Sequence, residues 1–169
     1  MALPKKLKHF NTFGNGESWL GLANEVKLPV LTRKLEEYRA GGMSGPVSLD
    51  MGQEALELEI KFGGLMRPVL NQYGVTTHNG VMLRFAGSYQ REDTGAIDVV
   101  EVVVRGRHKE IDMGTAKAGD DTEFAVKSAL SYYKLTINGV PELEFDFVGM
   151  KEIVNGVDLL AAHRTAIGA

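Results

Sequence analysis

Residues 54–62 read Glu-Ala-Leu-Glu-Leu-Glu-Ile-Lys-Phe. On an extended chain Leu56, Leu58, Ile60 and Phe62 point one way and Glu57, Glu59 and Lys61 the other, whereas a helix would scatter both sets around its circumference. The segment is expected to be a strand with one dry face and one charged, wet face. The habit recurs at the other end of the chain, where Leu143, Phe145 and Phe147 alternate with Glu142, Glu144 and Asp146. Between these lie three longer strand candidates, Val81 to Gln90, Ile97 to Arg105 and Phe124 to Ile137. The second is rich in β-branched residues and apolar on both faces from Val99 to Val104, so it is expected to be central or covered on both sides. In the third, Tyr132-Tyr133 breaks the alternation as a bulge would.

Turn chemistry separates these runs. Gly14-Asn15-Gly16, between Phe10–Phe13 and Trp19–Leu22, and Asn138-Gly139 both suit tight hairpins, because Asn and Gly tolerate positive φ. Glu92-Asp93-Thr94-Gly95 is another turn. A strand through Val26 and Leu28 ends at Pro29, and Leu31 to Arg39 reads as a further strand. Residues 40–52, Ala-Gly-Gly-Met-Ser-Gly-Pro-Val-Ser-Leu-Asp-Met-Gly, read as a long glycine-rich connection with too little apolar material to pack alone. Residues 113–122 form a second polar loop. Two short helices are expected: Arg67 to Tyr73, with Pro68 in its first turn, and Asn155 to Ile167, with Leu159, Leu160 and His163 near one face and Gly168 past its end. The pattern as a whole predicts a mainly β chain of antiparallel strands, with a short helix after the central strand and a C-terminal helix, in one domain spanning 1–169.

Composition narrows the function. The 169 residues include 20 glycines, as a turn-rich antiparallel fold requires, and no cysteine, which removes disulfides, thiolate metal sites and thiol nucleophiles. Residues 1–85 hold ten Lys/Arg against eight Asp/Glu, and residues 86–169 nine against fourteen, giving the net charge of −3. A dedicated DNA-binding domain would show a strong basic excess. The basic start, Met-Ala-Leu-Pro-Lys-Lys-Leu-Lys, is not followed by the apolar stretch of a secretion signal, and no apolar run of about 18 residues offers a membrane span.

Candidate chemistry is sparse. Gly14-x-Gly16 opens no helix and fits a hairpin turn better than a dinucleotide fingerprint, and Gly41-Gly42-Met43-Ser44-Gly45 lacks the Lys-Ser/Thr of a phosphate loop. His9, His78, His108 and His163 show no metal-ligand spacing and are expected on the surface. Arg105, Arg107 and Lys109 would share one strand face, but Glu110 and Asp112 follow, which favours a solvated face or a protein contact over nucleic acid. Asp120-Asp121-Thr122-Glu123 lacks EF-hand spacing and reads as a solvated turn. No nucleophile elbow or catalytic carboxylate frame is present. The sequence therefore points to neither an enzyme nor a cofactor or metal protein.

A collinear set of segments resembles the major tail tube protein of contractile-tailed bacteriophages and of R-type phage-tail bacteriocins. It begins with Leu28-Pro29-Val30-Leu31-Thr32-Arg33-Lys34, Glu37-Tyr38-Arg39-Ala40-Gly41-Gly42-Met43, Gly45-Pro46-Val47, Leu49-Asp50-Met51-Gly52 and Glu54-Ala55-Leu56. It continues with Arg84-Phe85-Ala86-Gly87-Ser88-Tyr89-Gln90, Arg105 to Asp112, Tyr132-Tyr133-Lys134-Leu135, Asn155-Gly156-Val157-Asp158 and Ile167-Gly168. The resemblance implies an antiparallel β-sandwich or half-barrel with a small helix, serving as a structural subunit, six of which close into a ring. Rings stack into a hollow tube inside the sheath, which conducts DNA or penetrates the target envelope. Four strands from each of six subunits, about 4.8 Å apart and tilted about 40°, would make a barrel roughly 45–50 Å across, wide enough for a DNA duplex.

The resemblance also implies partners: further copies of the chain, the tail sheath protein, baseplate and tail terminator proteins, a tape measure protein in the lumen during assembly, and DNA in transit. The place of action would be the virion tail or bacteriocin particle, assembled in the host bacterial cytoplasm. Two sites are expected on this chain. One is an assembly loop comprising Gly41, Gly42, Met43, Ser44, Gly45, Pro46, Val47, Leu49, Asp50 and Met51. The other is a lumen-facing set, Glu57, Glu59 and Lys61. The rival reading is a monomeric β-sandwich binding module that uses the 40–52 loop.

Overall fold

The computed structural model describes residues 1–169. In chain order the elements are β1 (Lys6–Gly14), β2 (Glu17–Ser18), β3 (Ala23–Lys27), β4 (Arg33–Tyr38), β5 (Val47–Gln53), β6 (Leu56–Phe62), α1 (Arg67–Asn71), β7 (Val81–Gln90), β8 (Ile97–Asp112), β9 (Phe124–Ile137), β10 (Val140–Asp146), β11 (Lys151–Val154), β12 (Val157–Asp158) and α2 (Ala161–Ile167). Ten strands form one antiparallel sheet, in which the path β12-β11-β10-β9-β8-β7-β1-β2 is joined by β6 on β9 and β3 on β6. The remaining pair, β4 and β5, stands apart as a two-stranded hairpin.

The two longest strands serve two layers. The second half of β9 pairs with β10, from Tyr132↔Asp146 to Ile137↔Val140, and its first half pairs with β6, from Phe124↔Phe62 to Leu130↔Leu56. In parallel, β8 meets β7 only over residues 97–106 and continues alone beside β9 to Asp112. At the change of layer the register slips between Arg105 and Gly106, which face Tyr132 and Leu130 and leave Ser131 as the extra residue. Such a bulge adds local twist and lets one strand pass from sheet to sheet. Gly106 is required there, since a Cβ at this position would lie 2.0 Å from the carbonyl oxygen of Ala129.

The folded-over sheet encloses one contiguous apolar core. β6 contributes Leu56, Leu58, Ile60 and Phe62, β7 contributes Val81, Leu83 and Phe85, β8 contributes Val102 and Val104, and β9 contributes Phe124, Val126 and Leu130. Phe62 is at the centre and fully buried, edge-on to Trp19 with ring centroids 5.4 Å apart and to Phe124 at 6.0 Å. The half-barrel that the resemblance implies is thus observed, with the sheet open at its edges.

Several boundaries differ from the sequence reading. Residues 47–53 are a strand, so the 40–52 connection is the turn and returning half of a hairpin; register with β4 (Tyr38↔Val47, Glu36↔Leu49) supplies the order that composition concealed. The segment from Asn155 is not helical at its start. Asn155 and Gly156 have φ of 50° and 78°, making a third Asn-Gly turn between β11 and β12, and α2 begins only at Ala161. β8 runs seven residues past Arg105, to Asp112. It is central, between β7 and β9, but Val99 remains 56% exposed, so only one of its apolar faces is covered within the subunit.

Candidate functional site: the wet sheet face and the β4–β5 arm

Cross-strand register collects the expected lumen-facing residues into a charged field. Directly opposed residues of antiparallel strands share a face. Glu25 and Lys27 of β3 oppose Lys61 and Glu59 of β6. Glu57, Glu59 and Lys61 oppose Ala129, Lys127 and Ala125 of β9. These in turn oppose Arg107, Glu110 and Asp112 of β8. Lys109, at a second bulge in β8, reaches this field by donating to the Glu57 carboxylate at 2.9 Å, a contact that holds its ammonium pKa above the ordinary value. The acids Glu25, Glu57, Glu59, Glu110 and Asp112 are therefore matched by Lys27, Lys61, Arg107, Lys109 and Lys127, and the face is a charge-balanced mosaic. Lys61–Glu25 at 3.6 Å and Lys127–Glu110 at 4.0 Å are further pairs within it. Exposed pairs of this kind add at most about 1 kcal/mol each, so the balance sets surface potential more than stability.

The four-stranded segment carrying this field, β3-β6-β9-β8, has two free edges. β3 pairs only with β6, and residues 107–112 of β8 pair only with β9. Unpaired edges carry rows of backbone donors and acceptors that readily pair with another chain.

Of the expected assembly-loop residues, Gly41, Gly42, Met43, Ser44, Gly45 and Pro46 lie in the turn of the β4–β5 hairpin, and Val47, Leu49, Asp50 and Met51 lie on β5. The turn is closed by Met43, whose backbone N–H donates to the Ala40 carbonyl at 3.2 Å. Tyr38, Val47 and Leu49 share one face of the arm and are each about half exposed, with no strand of the main sheet beside them. An isolated two-stranded hairpin is marginal in water, and this arm leaves its apolar face unpartnered. At the root, Glu54 N–H and the Gln53 side-chain amide both donate to the Thr32 carbonyl, at 2.8 and 3.0 Å. Arg33 Nε donates to both oxygens of Asp50, at 3.1 and 2.9 Å, and its Nη1 meets the carboxylate of Glu152.

Of the four histidines, His9, His78 and His163 are exposed as expected, but His108 is buried, 5% exposed. Alternation along β8 places it inward, in phase with the buried Val102 and Val104 and beneath the charged face. Its Nε2 contacts Gln72 Oε1 at 2.8 Å and its Nδ1 contacts Ser128 Oγ at 2.9 Å. An amide oxygen only accepts, so Nε2 carries the hydrogen, and in the neutral ring Nδ1 accepts from the Ser128 hydroxyl. Burial pushes its pKa down to about 4 from the ordinary 6.5. Between those values the unfolded chain binds a proton that the folded chain does not, so stability is flat above pH 6.5 and falls as pH drops towards 4, by up to about 3 kcal/mol from this group. Thermal melts of the native chain and of His108→Gln across pH 4–7 check this: the native chain loses more stability below pH 6.5 than the variant does. Equal pH slopes would contradict it.

Sequence reasoning missed the burial of His108, the identity of the strands that carry the free edges, and the Arg33–Glu152 contact. Glu152 could have been found from the strand-like run Lys151-Glu152-Ile153-Val154 before Asn155-Gly156. The free edges depend on which strands pair, which alternation does not encode.

The family model described as phage tail tube protein FII matches residues 4–168. A tail tube protein of Escherichia phage P2 is 50% identical over 171 aligned residues, covering 99% of both chains. The major tail tube protein of Serratia phage KSP20 is 38% identical over 150, covering 88% of this chain and 86% of its own. Among solved structures, a chain from the sheath–tube complex of the extracellular contractile injection system PVC, in its extended state, superposes with a TM-score of 0.58 at 12% identity, over 79% of this chain and 91% of that one. A chain from the PVC sheath/tube terminator gives the same TM-score and identity, over 79% and 96%. A chain from the anti-feeding prophage baseplate superposes at 0.54 with 14% identity, over 83% and 99%. At these identities the structural likeness establishes the fold. The reading as a stand-alone binding module finds no support among the relatives.

Proposed function

This chain belongs to the phage tail tube protein family and is a structural subunit of a contractile-type tail tube, and we propose how its surfaces build that tube. Six copies close into a ring through the two free edges of the β3-β6-β9-β8 segment. The observation that carries this is the strand count: with four antiparallel strands per subunit, β3 and β8 run in opposite senses. Rotation about the tube axis preserves strand direction, so β8 of one copy meets β3 of the next antiparallel, and every junction repeats the pattern inside the subunit. Closure removes both edges, as barrels do.

The apolar face of this segment is occupied by the core, which leaves the charged mosaic with Glu57, Glu59 and Lys61 for the lumen. A basic wall would hold DNA by counterion release. A balanced one offers passing DNA neither a trap nor a strong barrier. The arm, with its exposed Tyr38, Val47 and Leu49, docks on another copy and ties subunits together. On this reading the chain works as one domain, and its role is mechanical rather than catalytic. Its other partners are those implied by the family: sheath outside, terminator and baseplate at the ends, and tape measure protein in the lumen during assembly in the host cytoplasm. No helix of the chain is long and apolar enough to cross a membrane.

The test is self-association. Purified protein at rising concentration should give six-membered rings and tubes by light scattering and electron microscopy. A species that stays monomeric up to millimolar concentration contradicts the reading. The lumen assignment has its own test. Glu57→Lys with Glu59→Lys shifts the net charge by about +4 per subunit, or about +24 per six-membered ring, on a surface DNA must pass. The expected outcome is unchanged folding and tube formation, with DNA release from assembled virions slowed in a salt-dependent way. Unaltered release from intact particles would move these side chains off the lumen.

A further inference from the structure

We propose that Arg33 is a positioning residue, a latch that fixes the direction of the β4–β5 arm relative to the body of the subunit. The arm leaves the main sheet between β3 and β6 and pairs with neither. Its charged tie to the body runs through one guanidinium. On the arm side Arg33 grips both oxygens of Asp50, and that carboxylate is itself fixed by the Gly52 N–H at 2.9 Å. On the body side Arg33 meets Glu152 of β11, in the opposite layer of the fold. Glu152 is 8% exposed, and Arg33 is the only cation within ion-pair distance of it.

A carboxylate that poorly hydrated needs a partner charge, so Glu152 holds the guanidinium in place whether or not the arm has found a neighbour. The planar fork of Arg suits this use, because its donors reach two carboxylates with a fixed angle between them. Both carboxylates raise the Arg33 pKa, the hydrogen bond to Asp50 most, and Arg33 lowers that of Asp50. An arm held this way is presented to a neighbour already aimed, which removes part of the ordering cost of docking.

The proposal rests on the arm being the docking element only for its consequence in assembly, not for the latch itself. The chain has no cysteine, so paired spin labels can be placed at Glu37→Cys on the arm and Lys6→Cys on β1 without background. Distances are measured on dilute, unassembled subunits. Arg33→Gln with Glu152→Gln removes the latch without leaving a buried charge unpaired, so the subunit should melt close to the native temperature. The expected result is a narrow distance distribution in the native chain and one at least about twofold wider in the double variant, as for a segment released from its anchor. An equally narrow distribution in a folded double variant overturns the latch. Polymerisation is read separately. A wider distribution with unchanged tube formation would uphold the latch and remove the arm from assembly, so the two readings fail independently.

Discussion

Replacing residues 36–49 by Asn-Gly, so that Leu35 and Asp50 flank a two-residue turn, yields a subunit that folds as the native chain does and makes no tubes. The deletion removes Tyr38, Val47 and Leu49 and keeps Arg33, Asp50 and the root contacts with Thr32. None of the removed residues belongs to the buried core, so thermal melting is expected to change little. If a neighbour buries these three side chains, their loss withdraws about 5 kcal/mol from each contact, and association weakens by roughly a thousandfold or more. Sedimentation and electron microscopy on one sample report both outcomes. Tubes from the shortened chain, or an unfolded subunit, would show that the arm is not a dedicated assembly element.

Gly106→Ala is expected to be among the most damaging single-atom changes in the chain. The added Cβ would sit 2.0 Å from the Ala129 carbonyl oxygen, against backbone that cannot rotate away as a side chain could. The crossing of β8 and β9 must part, at a cost of about 3 kcal/mol. That is a large share of the roughly 5–15 kcal/mol that holds a domain folded. The neighbouring Arg107→Ala, on the exposed face, should stay within about 0.5 kcal/mol. Denaturant melts of both variants separate the positions, and a loss below about 1 kcal/mol for Gly106→Ala would contradict the account. The bulge also aims residues 107–112, so any folded Gly106→Ala protein should polymerise less readily.

These two positions show where sequence legibility stopped. Alternation identified β6 with its buried face, and β7 and β9 as strands, because a period of two is local and survives without knowing the partner strand. The turns at Asn15-Gly16 and Asn138-Gly139 were legible for the same reason. The third, Asn155-Gly156, was obscured by the helical composition that follows it. Gly106 was visible only as part of a basic run, since the close approach of Ala129 depends on a pairing 23 residues away in sequence. His108 was misassigned because the strand was expected to end at Arg105, whereas β8 runs on to Asp112 and keeps His108 in phase with the buried Val102 and Val104. The arm's glycines suggested a loop, whereas cross-strand register makes half of it a strand. Of the candidate sites, the face carrying Glu57, Glu59 and Lys61 was legible as wet, but its neutrality appears only when β3, β8 and β9 are laid beside it.

The most direct test of the assembly is a helical reconstruction, by cryo-electron microscopy, of tubes grown from the purified protein. The account predicts rings of six around a closed 24-stranded barrel, four strands per subunit. In each junction β8 residues 107–112 would run antiparallel to β3 of the next copy, with Glu57, Glu59 and Lys61 facing the channel. A tube in which those two edges do not meet, or in which the Glu57 and Glu59 carboxylates lie on the outer wall, would contradict it.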